Sequence, residues 1–172
     1  MICLTECITP AARRREIQQG SGPHMKRRRG IIAASMAGMA AMTAVSLLQT
    51  GLIKHLPDPP LRDFDSDRVN SSDTAYAFGA PDGPISLASF AANVPVAAWG
   101  AEDRWRTQPW IPVAAAGKAL VEAAAAGWYA YQMPAKEKAW CGYCITAALA
   151  SFTVAALSLP EARAAWRELR NR

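Results

Sequence analysis

Histidine and cysteine are scarce in this chain, and several long stretches carry little or no charge. Of its 172 residues only two are histidines, His24 and His55, and four are cysteines. That supply is too small for a zinc framework built on repeated Cys and His pairs. The sequence also has no P-loop, GxGxxG, HExxH or GxSxG motif. It therefore lacks the signatures of nucleotide-binding, zinc-protease and serine-hydrolase sites.

The charged residues lie mostly in the tails and connectors, while hydrophobic residues make up 51% of the chain. Basic residues outnumber acidic ones by 19 to 14, which gives a formal net charge of +5. Basic residues at membrane edges produce such a balance without any nucleic-acid partner. The segregation of charge predicts an integral membrane protein that contacts lipid and binds no nucleic acid.

Four apolar segments are candidates for membrane helices, because roughly 20 apolar residues in a helix cross a bilayer core about 30 Å thick. These segments are Ile31–Ile53, Pro84–Trp99, Pro109–Tyr131 and Trp140–Leu159. The tryptophans at or near the proposed ends are Trp99, Trp105, Trp110, Trp128 and Trp140. An interfacial aromatic belt requires tryptophans at such positions. The sequence therefore predicts an all-α, multi-pass bundle of four transmembrane helices over residues 31–159, between a disordered basic tail at 1–30 and a basic tail at 160–172.

The distribution of lysine and arginine sets the expected orientation of the bundle. The two tails and the second connector hold 13 basic residues, whereas the first and third connectors hold five. The positive-inside rule then places both termini in the cytoplasm and, in a bacterium, the protein in the inner membrane. In that orientation Cys3 and Cys7 are incidental cytoplasmic thiols. Met25, directly before a run of basic residues, is an alternative start of the chain.

Cys141 and Cys144 stand at the start of the fourth apolar segment, in the run CGYC. In the first turn of a helix, the free N–H groups and the helix dipole favour a thiolate, which is the reactive form. The spacing lets the two sulfurs form a disulfide on the outer side of the membrane boundary. One sulfur could meet an aqueous thiol there and the other a lipid-soluble oxidant, so we predict a redox pair. Two alternatives stay open, inert packing as small apolar side chains and a metal site completed by other ligands.

These motifs resemble those of the vitamin K epoxide reductase family. That family has a CxxC at the start of the last of its four membrane helices, followed by Ile or Leu and then Thr or Ser, as in CGYCIT here. Its first loop reads Cys-Ser-Arg-Val-x-Ser-Ser, and residues 66–72 of this chain read Ser-Asp-Arg-Val-Asn-Ser-Ser. The resemblance covers Ile31–Leu159. It implies that Ser72 lies near a catalytic disulfide formed by Cys141 and Cys144.

The resemblance also implies a function, that of a membrane thiol–quinone oxidoreductase. The quinone would be of the ubiquinone or menaquinone type and would accept the electrons. The partner would be a thioredoxin-like protein on the outer side of the membrane. Cys141 would exchange with the partner's thiols, and Cys144, one turn deeper, would deliver the electrons to quinone. No residue is assigned to quinone binding, and no metal is expected.

The chain departs from the family in the loop and in the last span. Ser66 stands where the family has a loop cysteine, and no cysteine lies between residues 8 and 140, which excludes an internal relay. Ala148 stands where a quinone-contacting tyrosine is usual. Asn93 is the only asparagine of the second span, but its surroundings do not match those of the family's quinone-binding asparagine. These departures favour the alternative, a non-catalytic membrane scaffold or accessory subunit with a structural CxxC.

Lys118 and Glu122 place two charges inside the third apolar segment. Residues four apart share a helix face, so the two side chains can neutralise each other. Because charge inside a membrane is energetically unfavourable, such a pair is a candidate for function. A purely structural ion pair explains the same pattern, and both interpretations stay open.

Overall fold

The computed structural model describes residues 9–172, so Cys3 and Cys7 lie outside the described residues. The described part is 76% helical and contains no strand, which confirms the prediction of an all-α fold. Its helices are α1 (Pro10–Gln19), α2 (Pro23–Gln49), α3 (Ser66–Asn70), α4 (Asp82–Ala98), α5 (Arg104–Thr107), α6 (Trp110–Gln132) and α7 (Gly142–Arg170). A 3-10 turn at Asp73–Tyr76 follows α3, and a π-helical turn at Met133–Glu137 follows α6.

The four long helices α2, α4, α6 and α7 form the packed body of the protein. Helix α2 packs against α4 and α7, and α6 packs against α7, whereas α4 and α6 make few contacts with each other. Among the described residues, α2 and α7 are long and apolar enough to cross a membrane. Helix α4 has only 17 residues, and α6 carries Lys118 and Glu122. Membrane crossing by α4 and α6 therefore stays a prediction.

Close packing of α2 on α4 depends on a glycine. A Cβ atom at Gly38 would lie 2.6 Å from the ring of Phe90, which is buried against this position. Small residues let two helices approach closely in membrane proteins, where lipid is as apolar as the side chains themselves. Gly38 therefore sets the distance between α2 and α4.

The outer faces of α6 and α7 carry large apolar side chains. The exposed ones include Trp110, Leu120, Val121, Trp128, Leu149 and Phe152. An apolar surface of this extent is unusual on a soluble monomer and typical of one that meets lipid. Two of the exposed tryptophans, Trp110 and Trp128, lie near the two ends of α6, where an aromatic belt would have them.

The N-terminal segment differs from the predicted disordered tail. Residues 10–19 form α1, whose first turn is capped by the Thr9 hydroxyl, and α2 begins at Pro23 rather than at Ile31. Glu16 accepts a hydrogen bond from the backbone N–H of Glu102, at 2.6 Å. Arg29 donates to a carbonyl of α1, that of Ile17, at 2.8 Å. These contacts to the bundle hold the segment in place. The C-terminal tail is also helical, because α7 continues through Pro160 to Arg170.

A buried ion cluster joins the helix ends farthest from Cys141. Arg28 of α2 and Arg104 of α5 both bind the carboxylate of Glu161, which is 4% exposed. Arg104 Nε lies 2.9 Å from Oε1 of that carboxylate, and its Nη2 lies 3.0 Å from Oε2. We call these three residues the Glu161 cluster, and the opposite end of the bundle the thiol end. The sequence pattern assigned both arginines to the flanks and did not reveal their shared partner.

Candidate functional site

Cys141 lies at the N-cap of α7, directly before the first residue of that helix. Its Sγ accepts a hydrogen bond from the backbone N–H of Cys144 at 3.1 Å, so the sulfur caps the helix. Both cysteines are free thiols in this structure. The position agrees with the expectation that the pair opens the last long helix. A sulfur at a helix N-terminus is stabilised as a thiolate by the N–H groups that face it.

The segment before and through α3 covers Cys141. Phe64 pairs with Trp140 in an isolated bridge, in which the Asp65 N–H donates to the Trp140 carbonyl at 3.0 Å. Val69, which follows in α3, packs against Cys141. Cys141 is 0% exposed as a result. We call residues 63–70 the cap segment, because this segment separates the sulfur from water.

Asn70 touches both sulfurs, and sequence reasoning missed it. Its Nδ2 donates to Cys141 Sγ at 3.2 Å, and its Oδ1 accepts from Cys144 Sγ at 3.4 Å. The same Nδ2 donates to the carbonyl of Ser66 at 2.7 Å, and the residue is 2% exposed. One amide thereby donates to Cys141 and accepts from Cys144. Asn70 occupies the variable position of the Arg-Val-x-Ser-Ser run, so no pattern marked it.

Ser66 takes the place of the family's loop cysteine and is fully buried. Its hydroxyl donates to Asp58 Oδ1 at 2.5 Å, and its backbone N–H donates to Asp58 Oδ2 at 2.7 Å. A hydroxyl does not take part in thiol–disulfide exchange. Ser66 therefore anchors the cap segment through Asp58 and supplies no relay sulfur.

The environment of Cys141 favours its charged form. The pKa of the Cys141 thiol is lowered to about 6, chiefly by the adjacent Cys144 side chain. Burial raises that pKa, and the nearby Ser66 hydroxyl, the Cys144 N–H and the Asn70 amide lower it further. The balance is downward, which favours the thiolate form of Cys141. A thiolate is the nucleophilic form and also the better leaving group.

A cavity of about 280 Å³ runs into the bundle from the thiol end. Its walls follow α7 from Cys144 to Ser151 and α6 from Val121 to Gln132, and most of the lining side chains are apolar. Ala148 lies on this wall. Because an alanine stands where a tyrosine is usual in the family, the space that the tyrosine ring would fill belongs to the cavity. Cys144 thus faces an apolar space inside the bundle, whereas Cys141 faces the cap segment.

Ser72 lies on the cavity wall without touching a sulfur. Its hydroxyl donates to the carbonyl of Val69 at 2.8 Å. No hydrogen bond joins Ser72 to Cys141 or Cys144 in the described part of the chain. Ser72 and Cys144 thus line the same cavity, but the direct contacts with the sulfurs are those of Asn70.

Lys118 and Glu122 form the ion pair that their spacing predicts, with Nζ and Oε1 2.5 Å apart. Two residues of α4 join them. Lys118 Nζ donates to Asn93 Oδ1 at 2.8 Å, and the Ser89 hydroxyl donates to Glu122 Oε1. Ser89 and Glu122 also line the large cavity. The sequence revealed the pair within α6 but not its two partners on α4.

The titration of Cys141 gives a direct test of this geometry. We expect its thiolate absorbance to appear with a midpoint near pH 6. Asn70→Ala should raise the midpoint by about one unit, because one hydrogen bond to a charged group contributes about 1.5 kcal/mol and one unit corresponds to about 1.4 kcal/mol. The measurement is the ultraviolet difference spectrum against Cys141→Ser across pH. Ser71→Ala, on the exposed side of the same loop, is the control and should leave the midpoint unchanged. A wild-type midpoint near the ordinary thiol value of about 8.5 would contradict the proposed electrostatics.

Comparison with known families adds one match. A model described as the Vitamin K epoxide reductase family matches residues 30–159. The matched range includes the cap segment, both cysteines of the CxxC and most of the four long helices. No curated protein and no solved structure gives a significant match.

Proposed function

The chain belongs to the vitamin K epoxide reductase family, and on that premise we propose that it passes electrons from partner thiols to a membrane quinone through Cys141 and Cys144. The family consists of membrane-embedded proteins and is associated with thiol–quinone oxidoreduction. One observation carries the proposal for this chain. Cys144 lines an apolar cavity, while Cys141, held at a lowered pKa, lies beneath a loop at the thiol end.

The thiol half of the reaction begins from the Cys141–Cys144 disulfide. A partner thiolate attacks Cys141 Sγ, the disulfide breaks, and Cys144 leaves and takes up a proton. The partner's second thiolate then attacks the partner sulfur of the mixed disulfide, which releases Cys141 as a thiolate. Its lowered pKa makes Cys141 a good leaving group in this second exchange. The partner ends as a disulfide, and the chain ends as a dithiol.

The quinone half takes place at the cavity. When the Cys141–Cys144 bond re-forms, two electrons pass to the quinone ring, which becomes a hydroquinone. The cavity volume of about 280 Å³ is near the lower end of the roughly 300–1,000 Å³ usual for ligand pockets. Its apolar walls suit an uncharged ring, and the few polar groups on them can bind the ring oxygens. These features support a quinone of the ubiquinone or menaquinone type as the substrate.

Partner access requires the cap segment to move, because Cys141 is fully buried beneath it. The absence of loop cysteines leaves direct attack on Cys141 as the only route from a partner. A thioredoxin-like protein fits this requirement, since it carries its own dithiol and can engage the loop as it reacts. Small thiols lack such a binding surface, so we expect them to reduce the disulfide slowly.

We also propose four membrane spans with both termini in the cytoplasm. The exposed apolar faces of α6 and α7 and the excess of basic residues on one side support this topology. Of the 13 basic residues on that side, Arg28 and Arg104 are both paired with Glu161 within the protein, and its single charge offsets one of the two. The remaining excess over the five on the other side keeps the same orientation.

Stoichiometric quinone reduction tests the proposed function. Reduced protein in lipid vesicles should convert one equivalent of a short-chain ubiquinone or menaquinone analogue while its two thiols become a disulfide. Quinone absorbance and thiol trapping measure the two events, and Cys141→Ser is the inactive control. A wild-type CxxC that stays reduced with both quinones would instead support the non-catalytic scaffold, which Ser66 in place of the loop cysteine favours.

A further inference from the structure

The Lys118–Glu122 pair is the only charged cluster between α4 and α6 within the described residues, and it borders the large cavity. Lys118 Nζ has four acceptors: Glu122 Oε1 at 2.5 Å, Asn93 Oδ1 at 2.8 Å, and the Ser89 carbonyl and hydroxyl at 2.9 and 3.2 Å. Asn93 Nδ2 closes the network on Glu122 Oε2 at 3.2 Å. Further hydrogen bonds of this kind are usual for a buried ion pair, but here they continue through Ser89 to the cavity wall.

The number of protons that quinone reduction needs gives this network a possible role. Oxidation of the dithiol to a disulfide releases two electrons, and a quinone needs two electrons and two protons to become a hydroquinone. Cys141 starts as a thiolate, so the pair of cysteines carries a single proton, that of Cys144. One further proton must come from a group at the cavity.

We propose that Lys118 and Glu122, acting through Ser89, supply this second proton, an inference that rests on the proposed quinone reductase function. The Ser89 hydroxyl, which donates to Glu122 Oε1 in the resting site, reorients, gives its proton to a ring oxygen and takes one from Lys118 Nζ. This transfer leaves a neutral amine beside Glu122. The overall step is thiolate, thiol, quinone and one proton going to disulfide and hydroquinone, which balances atoms, electrons and charge. The amine then regains a proton before the next turnover.

Apart from Cys144, the other ionisable groups on the cavity wall are the carboxyl groups of Asp82 and Glu137 and the phenol of Tyr129. Asp82 Oδ1 accepts from Gln49 Nε2 at 2.7 Å, and Glu137 Oε1 accepts from Thr74 Oγ1 at 2.7 Å. Both carboxyl groups therefore accept hydrogen bonds from neighbours, whereas the ammonium group of Lys118 carries a proton that it can give. Asp82 and Tyr129 are the competing donors, and Asp82→Asn and Tyr129→Phe separate them from the pair.

A second, smaller cavity indicates where the replacement proton enters. It measures about 20 Å³ and is lined by Asn93, Ser158, Arg104 and Glu161. A volume above about 10–15 Å³ holds one water when polar partners are present, and these side chains provide them. Asn93 thus contacts Lys118 on one side and this cavity on the other. The pair is therefore supplied from the Glu161 end of the bundle, opposite the thiols.

Single-turnover quinone reduction by pre-reduced protein in vesicles tests the donor. Ser89→Ala and the charge-neutral double variant of Lys118→Met with Glu122→Gln should each slow the reaction about 10²-fold, the usual contribution of a positioned acid. The slowed variants should also show a changed solvent isotope effect. Ser46→Ala, the same substitution on α2 away from both cavities, should react at the wild-type rate. An unchanged Cys141 titration shows that a slow variant is folded.

The outcomes separate this inference from the function on which it rests. If the wild type reduces no quinone, the proposed function fails. If the wild type reduces quinone and both variants match its rate, or if Asp82→Asn or Tyr129→Phe alone slows it, the pair is not the donor. A pH-sensitive dye inside the vesicles shows which face of the protein supplies the proton. Protease cleavage of a C-terminal tag determines the orientation of the protein in the same vesicles. Uptake at the Glu161 end is expected, and uptake at the thiol end alone would overturn the route.

Discussion

The Cys144→Ser protein should accumulate a mixed disulfide between Cys141 and its partner and lose quinone reduction completely. Without Cys144 the internal disulfide cannot form, which abolishes quinone reduction and leaves the partner's own second thiolate as the only group that can release the adduct. The lowered pKa of Cys141 keeps it nucleophilic, so the adduct forms with an oxidised partner. Non-reducing electrophoresis of membranes, followed by mass spectrometry of the shifted band, measures the adduct and identifies the partner.

Two controls make this result specific. Cys141→Ser should abolish the adduct, because the remaining Cys144 faces the apolar cavity rather than the cap segment. Replacing Cys3 and Cys7 together should leave the adduct intact, since the proposed chemistry uses neither. An adduct that survives in Cys141→Ser would exchange the roles of the two cysteines, and no adduct in either variant would favour the non-catalytic scaffold.

Glu161→Gln should be the most destabilising single change outside the thiol site. It removes the charge that balances Arg28 and Arg104, and both guanidinium groups are buried. Breaking a buried ion pair from one side typically lowers the free energy of unfolding by about 3–5 kcal/mol. Thermal unfolding of the detergent-solubilised protein, followed by circular dichroism, measures the loss.

Helix α7 supplies a matched control for that experiment. Glu168 pairs with Arg172 at 3.8 Å in an exposed position, and such surface pairs contribute only about 0–1 kcal/mol. Glu168→Gln should therefore have little effect on unfolding. Equal losses in the free energy of unfolding for the two Glu→Gln changes would show that the Glu161 cluster stabilises the protein no more than an exposed ion pair does.

The sequence predicted the long helices and the placement of the CxxC because both leave local patterns. Charge-free runs of membrane length mark the helices, and the thiols at the start of the last run mark the N-terminus of α7. The predicted first span extended to Ile53, but α2 ends at Gln49, where Gly51 turns the chain with a φ of 76°. Within residues 10–29, where the sequence predicts a disordered tail, helices α1 and α2 make tertiary contacts, and such contacts leave no local pattern.

The contacts that define the site could not be predicted, since they join residues far apart in sequence. Asn70 meets Cys141 across 71 positions, and Arg28 meets Glu161 across 133. Ser89 reaches Glu122 across 33 positions and from another helix. The residue type alone decides little at such positions, since an asparagine in a loop or an arginine near a span usually faces solvent.

The long separation within the Glu161 cluster has a consequence for biosynthesis. Arg28 enters the nascent protein near its start and Arg104 midway, whereas their common counter-ion is made near the end. Until α7 emerges, the earlier helices carry two guanidinium groups whose final position is inside the protein, and these groups stay with water or lipid headgroups. The last helix therefore supplies the counter-ion that lets both guanidinium groups enter the protein, so the earlier helices reach their final packing only after Glu161 has been made.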